Sequence, residues 1–218
     1  MKSFNFISLT SFVAITCLRS FSFVGVINKQ LKRLTDDEKE VEFYLTILGI
    51  SQFCGLFYAF LTAFVLDWKP SNKHPDFSLN LAFLLTGAVS ILVTSFLLIP
   101  VLQLQILSFI SYGVMRSFLY STHGSFVIKE FPLYHTGSLI GATLVFTSLL
   151  ALVQFLMFAL MEGPYNGDPT MVNVGLLVFQ VMVMFYPLYL WRRSKEKQSF
   201  DAVNFEKIQN QKDLSVGS

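Results

Sequence analysis

Six runs of apolar residues alternate along this chain with short stretches that hold nearly all of its charge. The runs cover about residues 4–27, 43–66, 78–99, 101–128, 136–161 and 171–191. Each is close to the ~20 residues that an α-helix needs to cross the hydrocarbon core of a bilayer. Charged residues make up 14% of the chain, where a soluble domain carries roughly a quarter. The expected fold is therefore all-α and membrane-embedded, a six-helix transmembrane bundle over residues 1–197. Residues 198–218 are polar and are expected to form a disordered cytoplasmic tail.

The first run follows Lys2 and so invites comparison with a signal peptide. It carries Arg19, however, and continues through Ile27 without a small-residue cleavage site, so a first membrane helix is the expectation. Asn28 to Glu42 reads as a charged loop of mixed sign. Six spans put both termini on one side, with Lys2, Lys69, Lys73, Lys129, Arg192, Arg193, Lys195 and Lys197 close to the spans there. The other side has Lys29, Lys32, Arg33 and Lys39. The excess of basic residues assigns the termini to the cytoplasm. These basic residues sit in loops and tail rather than on one face, so nothing points to nucleic acid. Cys17 and Cys54 both fall inside apolar runs and read as membrane-buried thiols, not as a disulfide or metal pair.

No catalytic constellation is present: there is no zinc-protease helix motif, nucleophile elbow, phosphate loop or paired-cysteine motif. His74, His123 and His135 are too scattered for a metal site. An enzyme is not expected, nor is a cofactor. What carries information is polarity inside the apolar runs: Arg19 in the first, Gln52 in the second, Arg116, Tyr120 and His123 in the fourth, Gln154 in the fifth. An arginine at bilayer depth costs at least ~2.5–3.5 kcal/mol and almost always faces protein or a water-filled cavity. Every Asp and Glu lies in a loop, at a helix edge or in the tail. Neither arginine therefore has an acidic partner within the runs. Two readings stand side by side. In one, each guanidinium bonds helix-end carbonyls or Ser/Thr hydroxyls and is purely structural. In the other, the missing partner is a substrate anion or a residue of another polypeptide, and a carboxylate would suit the two-pronged guanidinium. The lack of buried acids also favours facilitated movement of a solute over coupling to protons or cations.

Several segments, in order, resemble the second half of a major facilitator transporter, and specifically the solute carrier 43 family. CLRSFSFVGVIN (residues 17–28) is similar to that family's seventh helix. EVEFYLTILGISQFCGL (40–56) with VLDWKP (65–70) looks like the eighth helix and its cytoplasmic aspartate. LQLQILSFISYGVMRSFLYSTHGSF (102–126) looks like the tenth, and FPLYHTGSLIGATLVFTSLLALVQF (131–155) the eleventh. GPYNGDPTMVNVGLL (163–177) with PLYLWRR (187–193) resembles the last loop and twelfth helix. Departures lie at Ala63, where a loop glycine is the family pattern, and at Leu133 and Thr136, where serine and phenylalanine are.

The resemblance implies sodium-independent facilitative transport by alternating access, with substrate bound near the midplane between two six-helix halves. One branch of the family moves large neutral amino acids and another purine nucleobases. The motifs around Asp67–Lys69 and Gly163–Leu177 look more like the amino-acid branch, and those at Gln52–Gly55 and Arg116–Tyr120 more like the nucleobase branch. The expected substrate is a large neutral amino acid, with a nucleobase as the alternative. Arg116 is the expected carboxylate anchor, Tyr120, Gln52 and Gln154 its polar neighbours, and Arg19 and His123 further candidates along the path. The expected setting is the plasma membrane, and the expected partners are the small-molecule substrate, the lipid bilayer and an N-terminal six-helix half or a full-length relative. The family has twelve helices and this chain six, so it reads as a fragment or half of a carrier. It reads alternatively as a chain that pairs with a separate first half or with itself, or as a non-transporting membrane interaction protein.

Overall fold

In lipid, backbone N–H and C=O groups find partners only within the chain, which restricts spanning segments of this composition to helices. The computed structural model describes residues 2–68, 77–164 and 167–192, with side chains described from residue 6, and all regular structure among them is helical. The helices are α1 (Lys2–Leu34), α2 (Glu38–Phe53), α3 (Gly55–Asp67), α4 (Phe77–Leu98), α5 (Leu104–Glu130), α6 (Leu133–Ala151), α7 (Val153–Glu162) and α8 (Thr170–Val183). Helix resumes after Met184 and continues to Arg192. The expected tail, 198–218, and the loop 69–76 lie outside the described residues.

Buried hydroxyls are accommodated by bonding back to the preceding turn, so that the helices carry polarity at little cost. Thr16 donates to the Phe12 carbonyl at 2.8 Å, Thr62 to Tyr58 at 2.8 Å, Thr86 to Ala82 at 2.7 Å and Thr143 to Leu139 at 3.0 Å.

The first helix is the axis of the bundle. Leu9, Phe12, Val13, Cys17, Phe23, Val26, Ile27 and Leu31 are all buried along it. It also runs past the expected end of its span: residues 28–34, read from sequence as loop, are its last two turns. Lys32 and Arg33 fall in the final turn, where basic residues complement the helix dipole. Gln30 donates to the Leu97 carbonyl at 3.0 Å, Lys29 pairs with Glu162, and Arg33 pairs with Asp168. Only Thr35, Asp36 and Asp37 separate α1 from α2, and Asp37 caps α2 by accepting from the Lys39 N–H at 2.9 Å.

Three of the apolar runs are broken. The α2–α3 pair bends by 46° at Cys54, next to Gly55, a residue type associated with helix kinks. The fifth run breaks at Leu152. The last breaks at Met184, where Pro187 has no N–H for the Val183 carbonyl and its ring crowds the preceding turn.

Among the described residues, four helices are long and apolar enough to cross a membrane: Phe6–Leu34, Phe77–Leu98, Leu133–Glu162 and Thr170–Arg192. The bent α2–α3 pair makes a fifth if it counts as one span. The sixth expected span, α5, has 27 residues, but Arg116, His123 and its many hydroxyls dilute its apolarity. The chain is thus an all-α membrane protein, with four or five spans by length and composition among the described residues, and α5 is held by its neighbours rather than by hydropathy.

The two ends of the bundle are distinct. At one, the α1 C-terminus meets the end of α4 and the α7–α8 connection through the Gln30, Lys29 and Arg33 contacts. At the other, Phe6 meets Phe131 edge-on at 5.9 Å, and Phe77 lies 6.1 Å from Trp68 and 5.1 Å from Trp191 between ring centres. Between them, α4 and α5 form the best-packed pair, with Phe83 at the hub of Phe12, Phe126 and Tyr186. By contrast α6 and α7 turn Val145, Leu149, Phe155 and Leu156 outward, and α2 and α3 do the same with Phe53, Phe57, Phe60 and Phe64.

Candidate functional site

The two arginines read together from sequence have different settings. Arg19 is fully buried among α1, α4 and α8. Its Nε donates to Thr94 Oγ1 at 2.8 Å and its Nη1 to Asn173 Oδ1 at 3.3 Å, while Nη2 has no partner among the described residues. Its carbon Cζ lies 6.0 Å from the centre of the Phe23 ring. The Thr94 hydroxyl is of the kind the structural reading named, and the Asn173 amide oxygen is not. They leave a cation in the bundle interior without a carboxylate.

Arg116 stands on the exposed side of α5. Its Nη1 donates to Gln52 Oε1 at 3.3 Å. Gln52 sits in the last turn of α2, just before the break, and its Nε2 is buried without a partner among the described residues. Cζ of Arg116 lies over the ring of Tyr112, 5.8 Å from its centre. One turn further along α5, Tyr120 is 44% exposed and neighbours the buried thiol of Cys17 on α1. Arg116, Gln52 and Tyr120 thus form one open polar patch contributed by α2 and α5, over a floor supplied by α1.

Other expected site residues lie elsewhere. His123 is buried on α5, its Nε2 unpaired among the described residues. Gln154 is half-buried just after the Leu152 break and makes no described contact with Arg116. A groove of about 410 Å³ between α1 and the last helical segment, lined by Ile7, Ser11, Met182, Phe185 and Tyr189 among others, includes none of the expected site residues. Cys17 is buried and Cys54 half-buried; both are free.

Sequence reading missed Tyr112, Phe23 and Ser20, which support the patch from below. Tyr112 precedes Arg116 by four residues, so the helical period offered a signal for it. The α1 residues offered none, because only the packing of α1 against α5 brings them near.

The all-α, multi-pass membrane bundle thus carries on its open face a guanidinium whose described hydrogen-bond acceptor is a neutral amide. Comparison with known proteins is more specific. The chain is 30% identical to bovine (Bos taurus) equilibrative nucleobase transporter 1 over 82% of its own length and 40% of that protein. It is 27% identical to the large neutral amino acids transporter small subunit 3 of Mus musculus, over 91% of the chain and 44% of the relative. The Homo sapiens form is 26% identical over 87% of the chain and 42% of the relative. The chain is related to the solute carrier 43 transporters, as its motifs indicated. It spans about two fifths of the length of these curated relatives. All three are named as transporters, which fits a non-enzyme. No protein-family profile matches the chain, and no solved structure does.

Proposed function

We infer that this chain is half, or a fragment, of a sodium-independent facilitative carrier for large neutral amino acids, working by alternating access. The observation that carries the reading is Arg116. It is a guanidinium on the open face of a membrane bundle, bonded to a neutral amide and, among the described residues, to no carboxylate. A substrate carboxylate would replace Gln52 as acceptor and offer two hydrogen bonds to a charged acceptor in place of one long bond to a neutral amide oxygen. Tyr120 and the freed Gln52 amide would then face the rest of the solute. Alternating access would come from rocking of this bundle against an N-terminal six-helix half across the apolar faces of α2–α3 and α6–α7. The proposed location is the plasma membrane with both termini cytoplasmic.

A purine nucleobase is the second reading. An amide, a guanidinium and tyrosines also suit the hydrogen-bonding edge and flat face of a base, and one relative is named for nucleobases. The test is uptake of labelled leucine and adenine by cells expressing the chain alone, and joined to the first six helices of a relative. Leucine uptake by the fusion, abolished by Arg116→Ala at equal surface expression, is the expected result. Adenine uptake alone moves the substrate to the second reading. A fusion at the surface that carries neither label leaves a non-transporting interaction protein.

A further inference from the structure

A long arginine side chain standing on an open face needs something besides its one weak hydrogen bond to fix its direction. The bond to Gln52 is 3.3 Å long and is the contact that a substrate would displace. Beneath Arg116 lies a column of rings. Tyr112 is 2% exposed and stacks on Phe23 with ring centres 4.3 Å apart and planes 17° from parallel. Phe23 is fully buried, with Phe109 against its edge at 6.4 Å. The Tyr112 hydroxyl accepts a hydrogen bond from Ser20 Oγ at 3.2 Å. The order is therefore Arg116, Tyr112, Phe23, Arg19: two aromatic rings between two guanidiniums, one exposed and one buried.

We propose that Tyr112 is the positioning residue of the Arg116 site, holding the guanidinium over its ring so that it stays aimed when Gln52 lets go. This inference rests on the reading of Arg116 as the substrate anchor. The face of a tyrosine ring attracts a cation through its quadrupole, and unlike a hydrogen-bond acceptor it does not use the N–H groups that a carboxylate needs. Phe23 and Ser20 keep the ring from rotating or tipping. Because both hold Tyr112 from α1, the anchor on α5 is registered against the central helix of the bundle. Arg19, which also borders Phe23, cannot follow the substrate, being tied to Thr94 and Asn173. It makes the base of the column rigid.

Two measurements separate this role from plain packing. In the fusion described above, Tyr112→Leu should raise the KM for the transported label about fivefold, the scale of one lost cation–π contact, with Vmax nearly unchanged. Tyr112→Phe keeps the ring and should restore KM to within about twofold. In the chain reconstituted in lipid nanodiscs with labelled arginine, the Arg116 side-chain protons should be displaced upfield by the ring current, a displacement kept in Tyr112→Phe and lost in Tyr112→Leu. If Tyr112→Leu does not fold, Phe23→Leu removes the ring's support instead and should raise KM in the same direction. No displacement in the unsubstituted chain overturns the proposal. So does an unchanged KM in a folded Tyr112→Leu carrier that still depends on Arg116, in which case the anchor reading stands without it. A fusion that carries neither leucine nor adenine fails the anchor reading first, and the positioning role falls with it.

Discussion

Arg19 and Arg116 carry the same group into the same membrane and should respond to substitution in opposite ways. Arg19 is a charge buried among neutral oxygens, and such charges are often replaceable by apolar side chains of similar length without loss. Arg19→Met leaves Asn173 Oδ1 short of a donor, whereas Thr94 keeps its bond to the Ser90 carbonyl at 3.0 Å. The unfolding free energy in detergent should therefore change by no more than about 2 kcal/mol. Arg19→Ala also opens a cavity between α1, α4 and α8, and should cost about 2–5 kcal/mol. Uptake by the Arg19→Met carrier should persist, where Arg116→Ala abolishes it. A dead but folded Arg19→Met protein would mean that Arg19 contacts the solute path after all. The absence of acidic partners for both arginines was legible from sequence, because every Asp and Glu lies outside the apolar runs. Their separate settings were not. Thr94 and Asn173 are 75 and 154 positions from Arg19, and a helical period reports only the face of its own helix.

The broken spans are docked through glycines of unbroken ones. Tyr58, one turn beyond the Cys54 break, lies where a side chain on Gly113 of α5 would be: a Cβ there would come within 2.3 Å of its ring. Phe158, after the Leu152 break, stands against Gly25 of α1 in the same way, and Met184, at the third break, against Gly87 of α4. These close approaches let short half-helices seat against longer neighbours. Gly124, also on α5, has nothing within 4 Å of where its Cβ would stand and is the internal control. Gly113→Ala should force the Tyr58 ring outward, weaken its 3.3 Å contact with Ser51 and cost about 1–3 kcal/mol in thermal unfolding. Gly124→Ala should be neutral or stabilise by up to about 1 kcal/mol. Equal effects at both positions would show that the notch at Gly113 has no mechanical role. Of the breaks, the one before Pro187 was legible in the missing N–H. Those at Cys54 and Leu152 have no proline, and their partners Tyr58 and Phe158 look in sequence like two more aromatics in aromatic-rich runs.

Across the whole molecule, the apolar runs located the helical passes, but not how the ends are fastened. The mixed charges of residues 28–42 looked like a solvated loop because each side chain alone is unfavourable in a membrane. Residues 28–34 are helical because α1 projects beyond its apolar span and its last turns find partners 133 and 135 residues away, at Glu162 and Asp168, while 38–42 open α2. Asp168 is the junction of that end. Its carboxylate accepts from the Thr170 N–H at 2.9 Å at the start of α8 and pairs with Arg33, which also donates to Thr170 Oγ1 at 3.1 Å. Thr170, through its hydroxyl and then its backbone N–H, holds the Asp168 carboxyl below the usual carboxylate range, and Arg33 adds to this. A folded-state value below the unfolded one means that the contribution is complete above the ordinary aspartate value of about 4 and is lost as pH falls through the folded value. Hydrogen exchange at the Thr170 amide, corrected for its intrinsic pH dependence, should accordingly stay protected at neutral pH and lose protection only in acid below that ordinary value. Arg33→Ala should weaken the protection at every pH, with a smaller effect at high salt because the pair is exposed. Asp168→Asn should remove the acid-dependent step, since an amide at that position has no proton to gain. If the step survives in Asp168→Asn, a group other than the Asp168 carboxylate fastens the start of α8.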